Sequence, residues 1–462
     1  MTKPDSQGGN HDRPPVLLTY VPTLSSSEAT VAGEAPCLEL APFRGVRYAE
    51  DRVSGLAEVT SPPYDVIAAD NESQLMASDP HNVVRLILPR HDPGQPGSPY
   101  TDAARELSGW LADGILEPDP EPALYVYEQV TADRTVLQRG LIGALRLEPY
   151  GAGIVQPHED VAPGPVAGRR QLMEATQANL EPIFLLYQGG NGLASKLVDE
   201  VAGGRLPLAE ASTTDGLRHR IWAVTDPGEL AAIASDLAPR TALIADGHHR
   251  YAAYLQLQDR LRRDGAGAGP WDRGLALLVD STAYPPQLGA IHRVVTGLVP
   301  EAAARLAESA FTVRELPGGS ADADAAIAGL TEASSRGIAF LLTGAGRAWL
   351  LTEPDPGQLR TAVPDYPPEL WQRLPAAVLE GLLFTRIWAI EDDARSVQAV
   401  HDAAEAIRAA DHAPGGTAVV CGPMTAAQVY EVAELGRRVP RKSTSFGPKP
   451  RTGLVLRLFA QG

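Results

Sequence analysis

Six consecutive residues, Asp246-Gly247-His248-His249-Arg250-Tyr251, gather a carboxylate, two imidazoles and a guanidinium around one glycine. Carboxylates and imidazoles accept and donate protons, and a guanidinium neutralises charge developing on an oxyanion. The elements that must hold these groups are legible on either side. The apolar run 241–245 is short enough for a buried strand, and 252–257 has the composition of a helix. A strand that turns through glycine into a helix aims free backbone N–H groups and the positive end of the helix dipole at one point. That point suits an anion such as a phosphate. The plainer reading is a helix start capped by Asp246, with the histidines satisfied locally. Four polar residues crowded between two apolar runs favour a site.

Other stretches carry chemistry of their own. Pro157-His158-Glu159-Asp160 offers a general base or a ligand for a divalent cation, or else a solvated acidic turn leading into the Gly/Pro-rich turn expected at 161–168. Arg169 and Arg170 follow closely enough to answer those carboxylates or a phosphate. The segment 441–449 is basic and hydroxyl-rich; Lys442, Ser443, Thr444 and Lys449 suit a polyphosphate, a flexible surface loop being the alternative. Pro62-Pro63-Tyr64-Asp65 reads as a structured turn with Asp65 as a local cap. Pro80 to Arg85 reads as a turn into a strand, and His292-Arg293 as a surface pair. A metal-hydrolase reading of Asp246, His248 and His249 is disfavoured, because adjacent histidines in a tight turn rarely reach one ion.

The 462 residues carry 40 Lys and Arg against 57 Asp and Glu, a net charge of −17, which argues against a nucleic-acid partner. Only two cysteines occur, so there is no disulfide framework, and no apolar run approaches a membrane span. These features point to a cytoplasmic protein with no membrane partner. Residues 1–36 read as a disordered tail. Beyond it, strands and helices alternate irregularly, which predicts an α+β fold with mixed sheets and packed helices. Strands are expected at 124–127 and 140–147 as a hairpin, and at 183–187, 275–279, 311–316, 338–342, 348–352, 417–421 and 453–459; helices are expected at 100–113 and 321–334. The organisation expected is an N-terminal α+β catalytic-like domain over 37–308 and a smaller C-terminal α/β part over 309–462.

In order along the chain, Ala41-Pro-Phe-Arg-Gly-Val-Arg-Tyr48, Ser61-Pro-Pro-Tyr-Asp-Val-Ile67, His81-Asn82, Pro157-His158-Glu159, Ile244 to Tyr251, His292-Arg293 and Lys442-Ser443-Thr444 with Pro448-Lys449 resemble domain-of-unknown-function family 1015. That family in turn resembles the free-serine kinases and the partition-protein/sulfiredoxin superfamily, which implies a core of that kind around the Asp-Gly-His-His-Arg turn. The resemblance implies Mg2+ with ATP or ADP as cofactors and a small hydroxylated molecule as substrate. Gly247, His249 and Arg250 would then hold nucleotide phosphates with Lys442, Ser443, Thr444 and Lys449. Asp246 would bind Mg2+ or orient the reacting groups, His248 would assist the chemistry, and Glu159 would activate the substrate hydroxyl. The implied function is a nucleotide-dependent small-molecule phosphotransferase akin to a free-serine kinase. A phosphatase or nucleotidase using the same site, and a non-catalytic nucleotide-binding regulator, are the alternatives.

Overall fold

The computed structural model describes residues 35–94, 96–362, 368–390, 396–413 and 415–461. The tail expected over 1–36 falls, up to residue 34, outside the described residues. Leu124–Thr131 and Val136–Arg146 form the expected hairpin, antiparallel from Tyr125 opposite Ile142 to Val130 opposite Val136. The larger, nine-stranded sheet is built on it. Its order is Val155–Gln156, Ala242–Asp246, Ile183–Tyr187, Arg273–Asp280, Val136–Arg146, Leu124–Thr131, Leu217–Val224 and Ala209–Ser212, with Leu40–Ala41 also paired to Val136–Arg146. Arg273–Asp280 runs parallel to Ile183–Tyr187, and Ala242–Asp246 runs parallel to Val155–Gln156. The other pairings are antiparallel, so the sheet is mixed.

Every residue of Ile183–Tyr187 and of Ala242–Asp246 is buried. Their alternate residues enter two different cores: Phe184, Leu186, Leu243 and Ala245 face one, Ile183, Leu185, Ala242 and Ile244 the other. A strand covered on both faces reads as an unbroken apolar run, which is why these two were legible.

The smaller sheet is antiparallel throughout, in the order Thr312–Glu315, Arg347–Thr352, Ala339–Gly344, Thr417–Cys421, His292–Val295 and Val397–Val400. Its strands thus come from 292 to 421. After them the chain returns to earlier segments: Val439 bridges Glu159, Thr452 bridges Ser61, and Arg457–Leu458 pairs with Ala178–Asn179 in a two-stranded sheet of its own. The architecture is α+β, with mixed sheets and packed helices. Among the described residues, no helix is long and apolar enough to cross a membrane.

Four local expectations are overturned. The Gly/Pro-rich stretch at 161–168 opens the helix Pro163–Thr176, because proline at the first helical position lacks only an N–H that would have no partner there. His81 and Asn82 lead into the short helix Val84–Ile87, the Asn82 amide oxygen accepting the Val84 N–H at 2.9 Å. His292 and Arg293 are buried in a strand rather than exposed; the His292 Nδ1 accepts the Cys421 N–H at 3.2 Å. The strand expected at 453–459 contracts to Arg457–Leu458.

Candidate functional site

Strand Ala242–Asp246 ends on its carboxylate, Gly247 turns the chain at φ +94°, and the helix His248–Arg263 begins. A Cβ at residue 247 would lie 2.9 Å from Ile183 Cγ2 and 3.1 Å from Arg250 Nε, so both backbone angle and space require glycine. The N-cap position is Gly247, and among the described residues no side-chain hydrogen bond, from Asp246 or another, caps this helix. One turn in, Arg250 folds back to pair with Asp246 Oδ2, while its Nη1 donates to the Pro182 carbonyl at 2.6 Å. The other oxygen of Asp246 receives the Lys449 ammonium at 2.5 Å, and the same ammonium holds Asp65 Oδ2 at 3.0 Å. Alongside, buried Glu181 accepts the Tyr64 N–H at 3.0 Å and faces Arg169 at 3.6 Å.

The result is a row of alternating charges, Asp65, Lys449, Asp246, Arg250, in which each ion is flanked by its opposite. Burial and the Asp65 charge push the Asp246 carboxyl up, with Lys449 and Arg250 opposing. Burial also acts to raise Asp65, but the Lys449 and Arg250 cations outweigh it and hold its carboxyl below the usual range. Lys449 is itself pushed up, its two carboxylates overcoming the burial that would lower it.

The two histidines serve as fasteners. His248 Nε2 accepts the backbone N–H of His158 at 3.3 Å, and His249 Nε2 accepts that of Ala162 at 3.0 Å. Burial pushes both imidazoles below their ordinary range, so they accept as neutral rings. The loop they hold carries Glu159, whose carboxylate is itself engaged. Its Oε1 accepts the Ser443 N–H at 3.0 Å, the Thr444 N–H at 3.1 Å and the Thr444 hydroxyl at 2.9 Å, and its Oε2 accepts the Lys442 N–H at 3.3 Å. Successive N–H groups converging on one anion form a nest, helped here by the left-handed turn at Lys442, φ +55°. Arg293 completes the hold on this loop from the smaller sheet, donating to the carbonyls of Arg441 and Lys442 at 3.2 and 3.1 Å.

The residues expected at the site therefore gather in two clusters: Asp246, Gly247, Arg250 and Lys449 in one, Glu159, Ser443 and Thr444 in the other, with His248 and His249 joining them. Of these residues, Lys442 and Lys449 line a cleft of about 690 Å³ that draws its walls from both sheets. Asp65, Arg451 and His401 line it too. His401 follows the strand Val397–Val400, and its ring has no hydrogen-bond partner among the described residues. Partial desolvation and the nearby Lys449 charge hold its pKa below the ordinary value.

A profile of the family described as protein of unknown function, DUF1015, matches residues 40–377. The chain belongs to DUF1015. No curated protein matches the DUF1015 chain significantly. Among solved structures, a variant of free serine kinase in complex with ADP is 15 % identical, covering 73 % of this chain and 94 % of that one with a TM-score of 0.34. SbnI with C-terminal truncation, from Staphylococcus aureus, is 12 % identical over 72 % of this chain and 87 % of that one, with a TM-score of 0.34. A conserved hypothetical protein from Pyrococcus furiosus is 13 % identical over 73 % and 97 %, with a TM-score of 0.33.

Three groups of this DUF1015 chain lie outside the residues that sequence marks for the site. Asp65 was read as a cap, although the rigid Pro62-Pro63 before it was a signal of a fixed position. Glu181 and His401 stand singly in ordinary strand-end contexts, and nothing in the sequence around them marks a site.

Proposed function

We propose that the cleft binds a nucleotide and that the protein is a small-molecule phosphotransferase, passing a phosphoryl group to a hydroxyl. The observation that carries this reading is Lys449, an ammonium fixed between two carboxylates and lining a cleft of about 690 Å³ together with Lys442. Sites for molecules of nucleotide size span roughly 300–1,000 Å³. Phosphoryl transfer asks the protein for positioning and charge neutralisation and for little covalent chemistry.

In this reading Lys442 and Lys449 meet the phosphates. Asp246 and Arg250 fix Lys449. Glu159, with Ser443 and Thr444, fixes Lys442, and His248 and His249 fix the loop that carries Glu159. The four hydrogen bonds on Glu159 leave it poorly suited to take the substrate proton, and His401, on the cleft wall with no hydrogen-bond partner among the described residues, is the better-placed base. Free serine is the acceptor to which the family resemblance points. The phosphatase reading differs only in water as acceptor.

The residues do not fit Mg2+ at Asp246. One oxygen of that carboxylate pairs with Arg250 and the other with Lys449. Among the described residues no three His, Cys, Asp or Glu side chains converge to hold a metal.

The test is calorimetric titration with ADP and ATP, then phosphoryl transfer to a panel of hydroxylated amino acids, with phosphate release followed in the absence of any acceptor. Folded protein that binds neither nucleotide would end this reading; release without an acceptor-dependent product would favour the phosphatase. Lys442→Ala should weaken nucleotide binding about tenfold. It should leave the unfolding midpoint unchanged, because the Lys442 ammonium makes no ion pair among the described residues.

A further inference from the structure

We infer that Lys449 is the built-in cation of this site: it stands where a divalent ion would have to bridge Asp65 and Asp246, and the cleft takes its phosphate-bearing ligand without such an ion. The ligand half of this inference rests on the proposed nucleotide reading; the cation half does not.

The geometry is specific. The ammonium lies 2.5 Å from Asp246 Oδ1 and 3.0 Å from Asp65 Oδ2, and only 14 % of its side chain is exposed. An ammonium has three donors. Two are taken by these carboxylates, which leaves one for an anionic oxygen in the cleft that Lys449 lines. The charges around it already balance: Asp65 and Asp246 against Lys449 and Arg250. A divalent ion placed among them before any ligand binds adds two uncompensated charges unless it expels the lysine. Mg2+ also demands near-octahedral oxygen ligation at about 2.0–2.1 Å. Asp246 has no oxygen free to begin such a shell.

The backbone that delivers Lys449 is held as firmly as its side chain. Gln129 Nε2 donates to the Lys449 carbonyl at 3.0 Å and Gln138 Nε2 to the Pro448 carbonyl at 2.7 Å. Both glutamines are buried in the adjacent strands of the central hairpin, 1 % and 3 % exposed, and they hydrogen-bond to each other. Two buried amides are thus committed to the carbonyls of the two peptide groups that flank the Lys449 Cα. A lysine meant to swing aside for a metal ion has no need of that anchorage; a lysine that replaces the ion requires it.

The test uses the full chain with Mn2+ as the cation probe and ADP as the nucleotide. Electron paramagnetic resonance should find no tightly held Mn2+ on the parent protein, and ADP should bind with the same affinity, within about threefold, in Mg2+ and in EDTA. Lys449→Met should create a Mn2+ site that is lost again when Asp65→Asn is added, whereas Lys449→Arg, retaining the charge, should create none. Mn2+ bound by the parent and released by Asp65→Asn would overturn the inference, and so would an ADP affinity that falls more than about tenfold in EDTA. If Lys449→Met does not fold, the parent titrations still decide. If ADP binds under neither condition the nucleotide reading fails, while the Mn2+ titration continues to judge the role of Lys449.

Discussion

Gly247 and Asp246 show how much of the site depends on single atoms. A methyl group at 247 meets Ile183 Cγ2 at 2.9 Å and forces a side chain into φ +94°. Gly247→Ala should therefore destabilise the protein by about 1–2 kcal/mol from the backbone angle, with the contact adding more. Urea unfolding gives the value, and a change near zero would mean that the turn tolerates a side chain. Asp246→Asn should cost about 3–5 kcal/mol, because it leaves the buried Arg250 guanidinium against a neutral amide and Lys449 with Asp65 alone. At this scale the sequence was informative about where the chemistry lies and silent about who does what. The order of residue types from 246 to 250 announces a strand, a turn and a helix. That His248 and His249 fasten a loop, or that Asp246 has both oxygens engaged, depends on partners at 158, 162 and 449, which local spacing does not encode.

Between the helix Pro163–Thr176 and the strand Thr444–Gly447, one carboxylate connects two elements. Glu159 gathers three backbone N–H groups and a hydroxyl from 442–444, and hydrogen bonds to an ionised acceptor are each worth about 1.5–3 kcal/mol. Glu159→Gln should speed hydrogen exchange at the amides of Lys442, Ser443 and Thr444 by roughly ten- to a hundredfold, with little effect on the central hairpin. Exchange that stays as slow as in the parent would show that the loop is held by Arg293 and the strand alone. The elements themselves were largely legible. Doubly covered strands such as Ile183–Tyr187 and the hairpin of Leu124–Thr131 with Val136–Arg146 announce themselves by apolar runs and spacing. The helix at 163 was missed because prolines read as a turn, although the first turn of a helix accommodates them. The polar pattern of Arg-Lys-Ser-Thr likewise concealed a strand that pairs with Gln287–Ala290.

The whole molecule carries a pH dependence to which its buried histidines contribute, His248 of the site among them. His158, His219 and His292 are pushed down to about 4 by burial. In the unfolded chain they titrate near 6.5, so between these values the unfolded state binds protons that the folded state refuses. Stability is fully present above about pH 6.5 and falls as pH drops towards 4, by at most about 1.4 kcal/mol per pH unit for each histidine. Glu159 and Glu181, both raised by burial, oppose this in the lower part of the window. His219→Gln should reduce the slope of unfolding free energy against pH by up to about 1.4 kcal/mol per pH unit. An unchanged slope would exclude that residue from the effect. None of this was visible in the sequence, where the net charge of −17 describes the surface and says nothing of which imidazoles lose their water.

The contact between Lys449 and Asp65 also spans 384 positions of sequence. Pairings so distant reward the chain only after the intervening segments have condensed, since the entropy of closing the loop must be met first. The central hairpin closes within a few residues and needs no such wait. Refolding should thus proceed in two kinetic tiers, sheets before cleft. Lys449→Met should speed unfolding while leaving the folding rate nearly unchanged, the mark of an interaction absent from the transition state. On this account a newly folding chain builds its scaffold first and acquires a competent site only at the end.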